Sequence, residues 1–302
     1  MPPVPSRLRH LAVSARKHAE WFVRDRFPHR RVVRDVQGVR MVLPWSHRLP
    51  DYAGNGPYGQ NLVQLARLLA EHDGEPVSLL DVGANVGDST LQICRATDAR
   101  ALCIEADPYY MDYLAANLGD EPGVEIVHAL LATGEETAAA RTAVRTGGTT
   151  RFTEGAAEDA VGSLTPSALR TAYPAFDRLR LAKSDTDGYD VELVPAIAAA
   201  WGDVRPVLFF EYDHRLSRLA GNDPLEVWPR LAELGYRDVA VWDNGGALVG
   251  RTTVADVPDA TGALEEKVGV RAVSYWDVAV VHAEDAAGRA ALDELAPPSR
   301  RL

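Results

Sequence analysis

The chain is poor in cysteine, with two in 302 residues, and it has no long uninterrupted apolar run. Two cysteines cannot build a disulfide scaffold. Cys94 and Cys103 also lack metal-site spacing and read as small buried apolar residues, as expected of a reducing, cytoplasmic setting. No stretch approaches the ~18 apolar residues of a membrane helix, so no span is expected. The first residues hold arginines without an apolar core segment, so no secretory signal is expected. Internal repeats and low-complexity tracts are absent. So are two common phosphate-binding patterns. No G-x-G-x-x-G follows a strand, and no glycine turn continues into Gly-Lys-Ser/Thr. Those absences argue against a dinucleotide or nucleoside-triphosphate site.

What is present is a globular composition, 46% hydrophobic and 25% charged, with the charge unevenly spread. Residues 1–48 carry eleven Lys/Arg and three Asp/Glu, +8 within a chain of net −11, so the remainder is −19. An acidic body disfavours a nucleic-acid groove. Residues 6–27 read as a basic amphipathic helix, with Leu8, Leu11, Ala15 and Phe22 at helical spacing. Such a helix either makes peripheral contact with an anionic membrane surface or packs on the acidic body, its own or that of a second copy in a homo-oligomer. Residues 32–60 hold a hairpin pattern and a Pro/Gly/Tyr-rich loop that either borders a pocket or merely connects.

The most informative segment is DVGANVGDST, Asp81 to Thr90. It lies between an apolar strand, 77–82, and a helix, 88–96. A strand, a glycine turn and a helix form the ligand site at the carboxyl end of an open α/β sheet. Counting from Gly83, the second and third fingerprint positions hold Asn85 and Asp88. Asp81 and Asp88 flank the turn, and two carboxylates suit a cation better than a pyrophosphate. S-adenosylmethionine, with a sulfonium and an ammonium and no phosphate, fits that setting. A second apolar run ends at Glu105, where an acid can accept both ribose hydroxyls, or can simply end a strand at the surface.

Strands and helices then alternate. Helix 109–118, strand 124–130, strand 179–184, helix 190–200, strand 206–212, helix 224–234 and strands 236–242 and 274–282 follow. This is an α/β pattern, seven strands in one doubly wound, mainly parallel sheet. Residues 133–160 fit a hairpin turning at Gly147-Gly148, and the tail past Pro297 reads as frayed. The resulting division is an extension over 1–50, a catalytic domain over 51–297 and a tail over 298–302.

A second constellation sits at the ends of the fourth and fifth strands, LAKSDTDGYD and VLFFEYDHR. Asp185, Asp187, Glu211, Asp213 and His214 all fall on the ligand-binding edge of such a sheet. Gathered carboxylates repel unless protonated, paired with Lys183 or bridged by a metal. If the reaction is methyl transfer to a hydroxyl, a general base is needed. Asp187 or His214 can serve, with Asp185 and Lys183 beside them. A divalent ion, Mg²⁺, held by Asp185, Glu211 and Asp213, is the other route. Helix capping explains an Asp at 187 equally well.

DVGANVGDST, CIEADP, KSDTDGYD, FFEYDH and LGYRDVAVWDNGGAL occur in the order and spacing of the FkbM family of class I methyltransferases, which the chain resembles over roughly Tyr52 to His282. The resemblance implies a Rossmann-like sheet with an antiparallel last strand, and S-adenosylmethionine-dependent O-methylation of glycan or specialised-metabolite hydroxyls. It implies that Asp81, Gly83, Ala84, Asn85, Gly87 and Asp88 surround the methionine end, that Glu105 holds the ribose and that Ala106 and Asp107 adjoin the adenine. The strand ends also resemble, more weakly, metal-dependent sugar O-methyltransferases. Ser184 stands where the family more often has an apolar residue, and Thr165 where an Asp is usual. Three other readings remain: N-methylation, a non-catalytic cofactor-binding subunit, and an NAD(P)-linked oxidoreductase, which the broken fingerprint opposes.

Overall fold

A computed structural model describes residues 17–54, 56–134, 141–146, 149–154, 161–265 and 275–302. Helix α1 (17–25) leads to strands β1 (Arg31–Val36) and β2 (Val39–Pro44), then helices α2 (Leu49–Ala53) and α3 (Gln60–Asp73). Next come β3 (Ser78–Val82), α4 (Asp88–Ala96), β4 (Arg100–Glu105), α5 (Pro108–Leu118) and β5 (Val124–His128). Short strands β6 (Leu130–Leu131) and β9 (Ser163–Leu164) flank the hairpin of β7 (Arg141–Thr146) and β8 (Thr149–Glu154). Helix α6 (Pro166–Ala172), β10 (Leu181–Ser184), α7 (Asp190–Ala200), β11 (Val207–Tyr212), α8 (His214–Leu219) and α9 (Val227–Glu233) follow. The chain ends with β12 (Tyr236–Asp243), β13 (Leu248–Thr253), α10 (Val257–Ala260), α11 (Gly262–Glu265), β14 (Trp276–His282) and α12 (Ala286–Leu295).

The main sheet has eight strands in the order β13-β12-β14-β11-β10-β3-β4-β5. Strands β11, β10, β3, β4 and β5 are parallel, and β14 runs antiparallel between β11 and β12. The α/β, mostly parallel architecture and the antiparallel last strand are therefore as expected. The eighth strand, β13, is not. It pairs antiparallel with β12 through the Asp243–Ala247 turn, where Asp243 Oδ1 accepts from the Gly245 and Ala247 N–H groups, each at 2.9 Å. An Asn-Gly-Gly stretch before alternating residues is a hairpin signal.

The central strands are apolar on both faces because helices cover both. Leu79, Leu181, Val207 and Ala279 pack on one side with α3 and α12, and Leu80, Ala182, Leu208 and Val280 pack on the other with α7 and α9. The chain runs outward through β4 and β5 and then returns to β10 beside β3, so the order reverses between β3 and β10. That switch leaves a crevice at the carboxyl edge.

The N-terminal hairpin joins the same core through Val36, Met41 and Leu43. Asn117 on α5 clasps it, accepting from the Val42 N–H at 2.7 Å and donating to the Val42 carbonyl at 3.0 Å. Helix α1 is tied down by buried Arg24, whose Nε donates to the Trp45 carbonyl at 2.7 Å and whose Nη1 meets Asp51 at 3.0 Å. Its outer face leaves Phe22 and Val23 exposed. Leu8, Leu11 and Ala15, and the turn residues Gly147 and Gly148, lie outside the described residues. Among the described residues, no helix is long and apolar enough to cross a membrane.

Candidate functional site

Two cavities open at the carboxyl edge and share Gly83, Asn85, Asp185 and Asp187 in their walls. The wide one has about 660 Å³ and the narrow one about 80 Å³.

The glycine turn is their hinge point. Gly83 sits at φ +71°, and a Cβ there would fall 2.0 Å from the Asp185 carbonyl oxygen. Only glycine lets β3 and β10 end this close together. The Gly83 and Ala84 N–H groups both donate to the Ile104 carbonyl at 3.0 Å, pinning the turn to β4. Asn85 also adopts a left-handed φ, +52°. An amide side chain tolerates that region better than most, and strain held at a cleft is a mark of function. His47 Nδ1 accepts from the Leu49 N–H at 3.2 Å, which leaves its Nε2 hydrogen to donate to Asn85 Oδ1 at 3.2 Å. Burial pushes the His47 imidazole down to about 4, so it is neutral in this role.

Ala84 and Gly87 do not line either cavity. Ala84 is in the core, and a Cβ on Gly87 (φ +82°) would strike Leu118 Cδ1 at 2.7 Å, so this glycine serves helix packing. Asp81 is likewise beneath the turn rather than in its wall. Fully buried, it pairs with Lys183 Nζ at 2.9 Å and accepts from Thr90 Oγ1 at 2.7 Å. Lys183 also donates to the Gly83 carbonyl at 3.0 Å. Burial opposes its charge, but Asp81 and Asp185 outweigh that and hold the ammonium above its ordinary range. Lys183 lines the wide cavity while it braces Asp81 and the Gly83 carbonyl from beneath the turn.

The narrow cavity is walled by Val82, Ile104, Ala106, Leu130, Leu131 and Leu193, together with buried Glu105. Glu105 Oε2 accepts from the Asn85 N–H at 2.8 Å, and Oε1 from the Asp107 N–H at 2.7 Å. Burial pushes this carboxyl up to about 7, against the pull of those two N–H groups. Asp107 faces elsewhere: it caps α5, its Oδ1 accepting from the Tyr109 N–H at 2.9 Å, and it is not in the cavity wall. Apolar walls with an acid among them suit part of a nucleoside, and the neighbouring carboxylates suit a cationic tail.

Asp185 and Asp187 lie where the cavities meet. Asp187 is left-handed, φ +53°, and does not cap α7, whose N-cap is Tyr189. The loop carrying it is organised by buried Asp190, which accepts from Ser184 Oγ at 2.6 Å and from the Thr186 N–H at 3.0 Å. Ser184 thus has a job that an apolar residue could not do. Thr165, in place of the usual Asp, caps α6 by accepting from the Ala168 N–H at 3.2 Å.

Two sequence expectations fail here. His214 lines neither cavity; it is buried with Nε2 at 2.9 Å from Tyr212 Oη, in a network that includes Trp228 Nε1. The backbone turns after Tyr212 so that Asp213 faces the wide cavity and His214 faces the core. The metal site fails too. Asp213 Oδ1 is committed to capping α8 through the Leu216 N–H at 2.8 Å. Among the described residues, no group of three or more His, Cys, Asp or Glu is arranged to hold a metal. The donor set of Asp185, Glu211 and Asp213 does not fit Mg²⁺. Burial, with Asp185 next, instead pushes Glu211 well above the carboxylate range, toward its neutral form.

The wide cavity also contains residues that sequence reading missed: His47, Asn61, Tyr275 and Asp277. Asp277 accepts from Asn61 Nδ2 at 3.2 Å, and burial pushes it up to about 7. The signal for it was present, since an acid stands inside the otherwise apolar strand Trp276–His282. Asp88 also lines this cavity, and burial pushes it up to about 6. Trp242 and Trp276 are core residues and line neither cavity.

No family model matches the chain, and no curated protein matches it. Solved structures similar to it include the precorrin-6y C5,15-methyltransferase of Geobacter metallireducens, at 12% identity over 74% of this chain and 86% of that one, TM-score 0.38. The fibrillarin/Nop5p complex is similar at 11% identity over 68% and 73%, TM-score 0.40. An O-methyltransferase from Bacillus cereus in complex with SAH is similar at 14% identity over 74% and 80%, TM-score 0.36.

Proposed function

We propose that the chain is an S-adenosylmethionine-dependent O-methyltransferase of the FkbM type, acting on a hydroxyl of a sugar, glycan or specialised metabolite. The observation that carries this reading is the pair of cavities meeting at Asp185 and Asp187, one narrow and mostly apolar with Glu105 in its wall, the other wide and acidic. The methyltransferase unit is assigned to residues 51–297, with the preceding extension supplying His47 to the turn.

When bound, S-adenosylmethionine supplies a methyl group on a sulfonium, an electrophile that leaves as a neutral thioether. The chain's residues have the remaining tasks. Glu105 would hold the ribose hydroxyls through the lone pairs that the Asn85 and Asp107 N–H groups leave open. Gly83 and Asn85 would seat the methionine end, with Asp88 facing its charge. Asp187 would take the acceptor's proton as the hydroxyl oxygen attacks, because a hydroxyl is a weak nucleophile at neutral pH. The acidic walls disfavour a nucleic-acid acceptor, whose phosphates they would repel.

Calorimetric titration with S-adenosylhomocysteine (SAH) tests the reading; micromolar binding supports it, and no binding by folded protein ends it. The affinity carries a pH signature. Burial pushes the Glu105 carboxyl up to about 7, and it receives ribose hydroxyls best when ionised. Binding below that pH must expel a proton. The SAH Kd is expected to be flat above pH 8 and to rise toward tenfold per unit below 7. A Kd constant from pH 8.5 to 5.5 would remove Glu105 from the ribose role. Asp187→Asn is expected to keep SAH affinity while slowing turnover on the order of 10²-fold. An unchanged rate would move the base elsewhere.

A further inference from the structure

Six acids line the wide cavity, Asp88, Asp185, Asp187, Glu211, Asp213 and Asp277, against two cations, Lys183 and Arg215. Glu211 on β11 and Asp277 on β14 are direct antiparallel partners in the ladder, so two carboxylates stand side by side. Like charges at opposed positions cost stability. The hydrogen bond that Asp277 accepts comes from Asn61, a neutral amide. Two cations stand in this wall: Lys183, which is buried and paired with Asp81, and Arg215, which is exposed.

The acids alone would not define a site, but the cavity that they line also has aromatic walls. Tyr58 and Tyr275 line it too. Burial, and after it neighbouring groups that include Asp185, Glu211 and Asp277, pushes their phenols up, so both stay neutral. Tyr52 packs its ring 5.7 Å from that of Tyr58. Aromatic faces beside carboxylates are the chemistry that recognises an alkylammonium. The cofactor's own cation does not reach the far wall. It belongs at the turn after β3, and β14 lies three strands away through β10 and β11. At ~4.8 Å per strand that is roughly 14 Å.

We propose that the wide cavity takes an acceptor bearing an ammonium group as well as its hydroxyl, an amino sugar or aminocyclitol, anchored by Glu211 and Asp277 against Tyr58 and Tyr275. This rests on the methyltransferase reading and narrows its substrate class. The amine is a handle that orients the hydroxyl toward Asp187, and its charge favours the ionised form of the two neighbouring acids.

The test is calorimetry on the SAH-loaded full chain at fixed ionic strength, with glucosamine and kanamycin as probes against their N-acetylated forms. The aminated probes are expected to bind roughly tenfold tighter or more, the ratio that one charge-assisted hydrogen bond is worth. Asp277→Asn and Glu211→Gln, assayed separately, are expected to bring that ratio to about twofold or less while SAH still binds, which also shows that each variant is folded. No preference for the amine in the wild type overturns the proposal, as does a preference that survives both substitutions. If folded wild-type protein does not bind SAH at all, the methyltransferase reading falls, and this proposal with it.

Discussion

Lys183→Met is expected to lower the stability of the fold by about 3–5 kcal/mol, the cost of leaving a buried charge without its partner. Lys183 and Asp81 are both buried, on neighbouring strands in register, and they meet at 2.9 Å. Removal of the ammonium also takes a hydrogen bond from the Gly83 carbonyl, so the turn loosens as the core weakens. Urea unfolding measures the loss. The double variant Lys183→Met/Asp81→Leu is expected to recover much of it, because an apolar pair of similar size carries no desolvation cost. A single-variant loss below about 1 kcal/mol would show that the pair does not support the site.

Gly83→Arg is expected to leave no measurable SAH binding, and Gly83→Ala to weaken it by about 10²-fold or more. Two physical effects combine. At φ +71° any L side chain is strained by about 1–2 kcal/mol. The added Cβ also lands 2.0 Å from a backbone oxygen, which cannot swing away as a flexible side chain would. The chain must shift by more than an ångström, and Asp185 and the Asn85 N–H that Glu105 receives shift with it. Thermal unfolding alongside the titration separates loss of the site from loss of the fold. Normal affinity in Gly83→Ala would unseat the cofactor from this turn.

How much of this could be read from the chain depends on the range of the interaction concerned. Helix α4 begins at Asp88 and α7 at Asp190 as the sequence indicates, because glycines and apolar periodicity act over a few residues. Glu105 falls at a strand end facing the slot, as its distance from the glycine turn implies. His214 was misjudged because adjacent residues past a strand end face opposite ways, and the hydrogen bond to Tyr212 that turns it inward leaves no mark in sequence spacing. Asp81 was misjudged in the same manner. A carboxylate before a glycine turn can face a ligand or a buried lysine, and Lys183, a hundred residues on, decides it. Asp277 was missed because it lies on the last strand, which returns to the middle of the sheet.

The sequence by itself determined the alternation of strands and helices, the glycine turn after the first core strand and the acid after the second. These are local matters of backbone freedom and apolar spacing. Tertiary structure decided which acids face the cavities, which lie beneath them and which cap helices. It placed His47 from the N-terminal extension against Asn85, and Asp277 beside Glu211. Those arrangements arise from strands and loops far apart in the chain being packed into one edge. There burial and neighbouring charge, rather than residue type, set what each group can do.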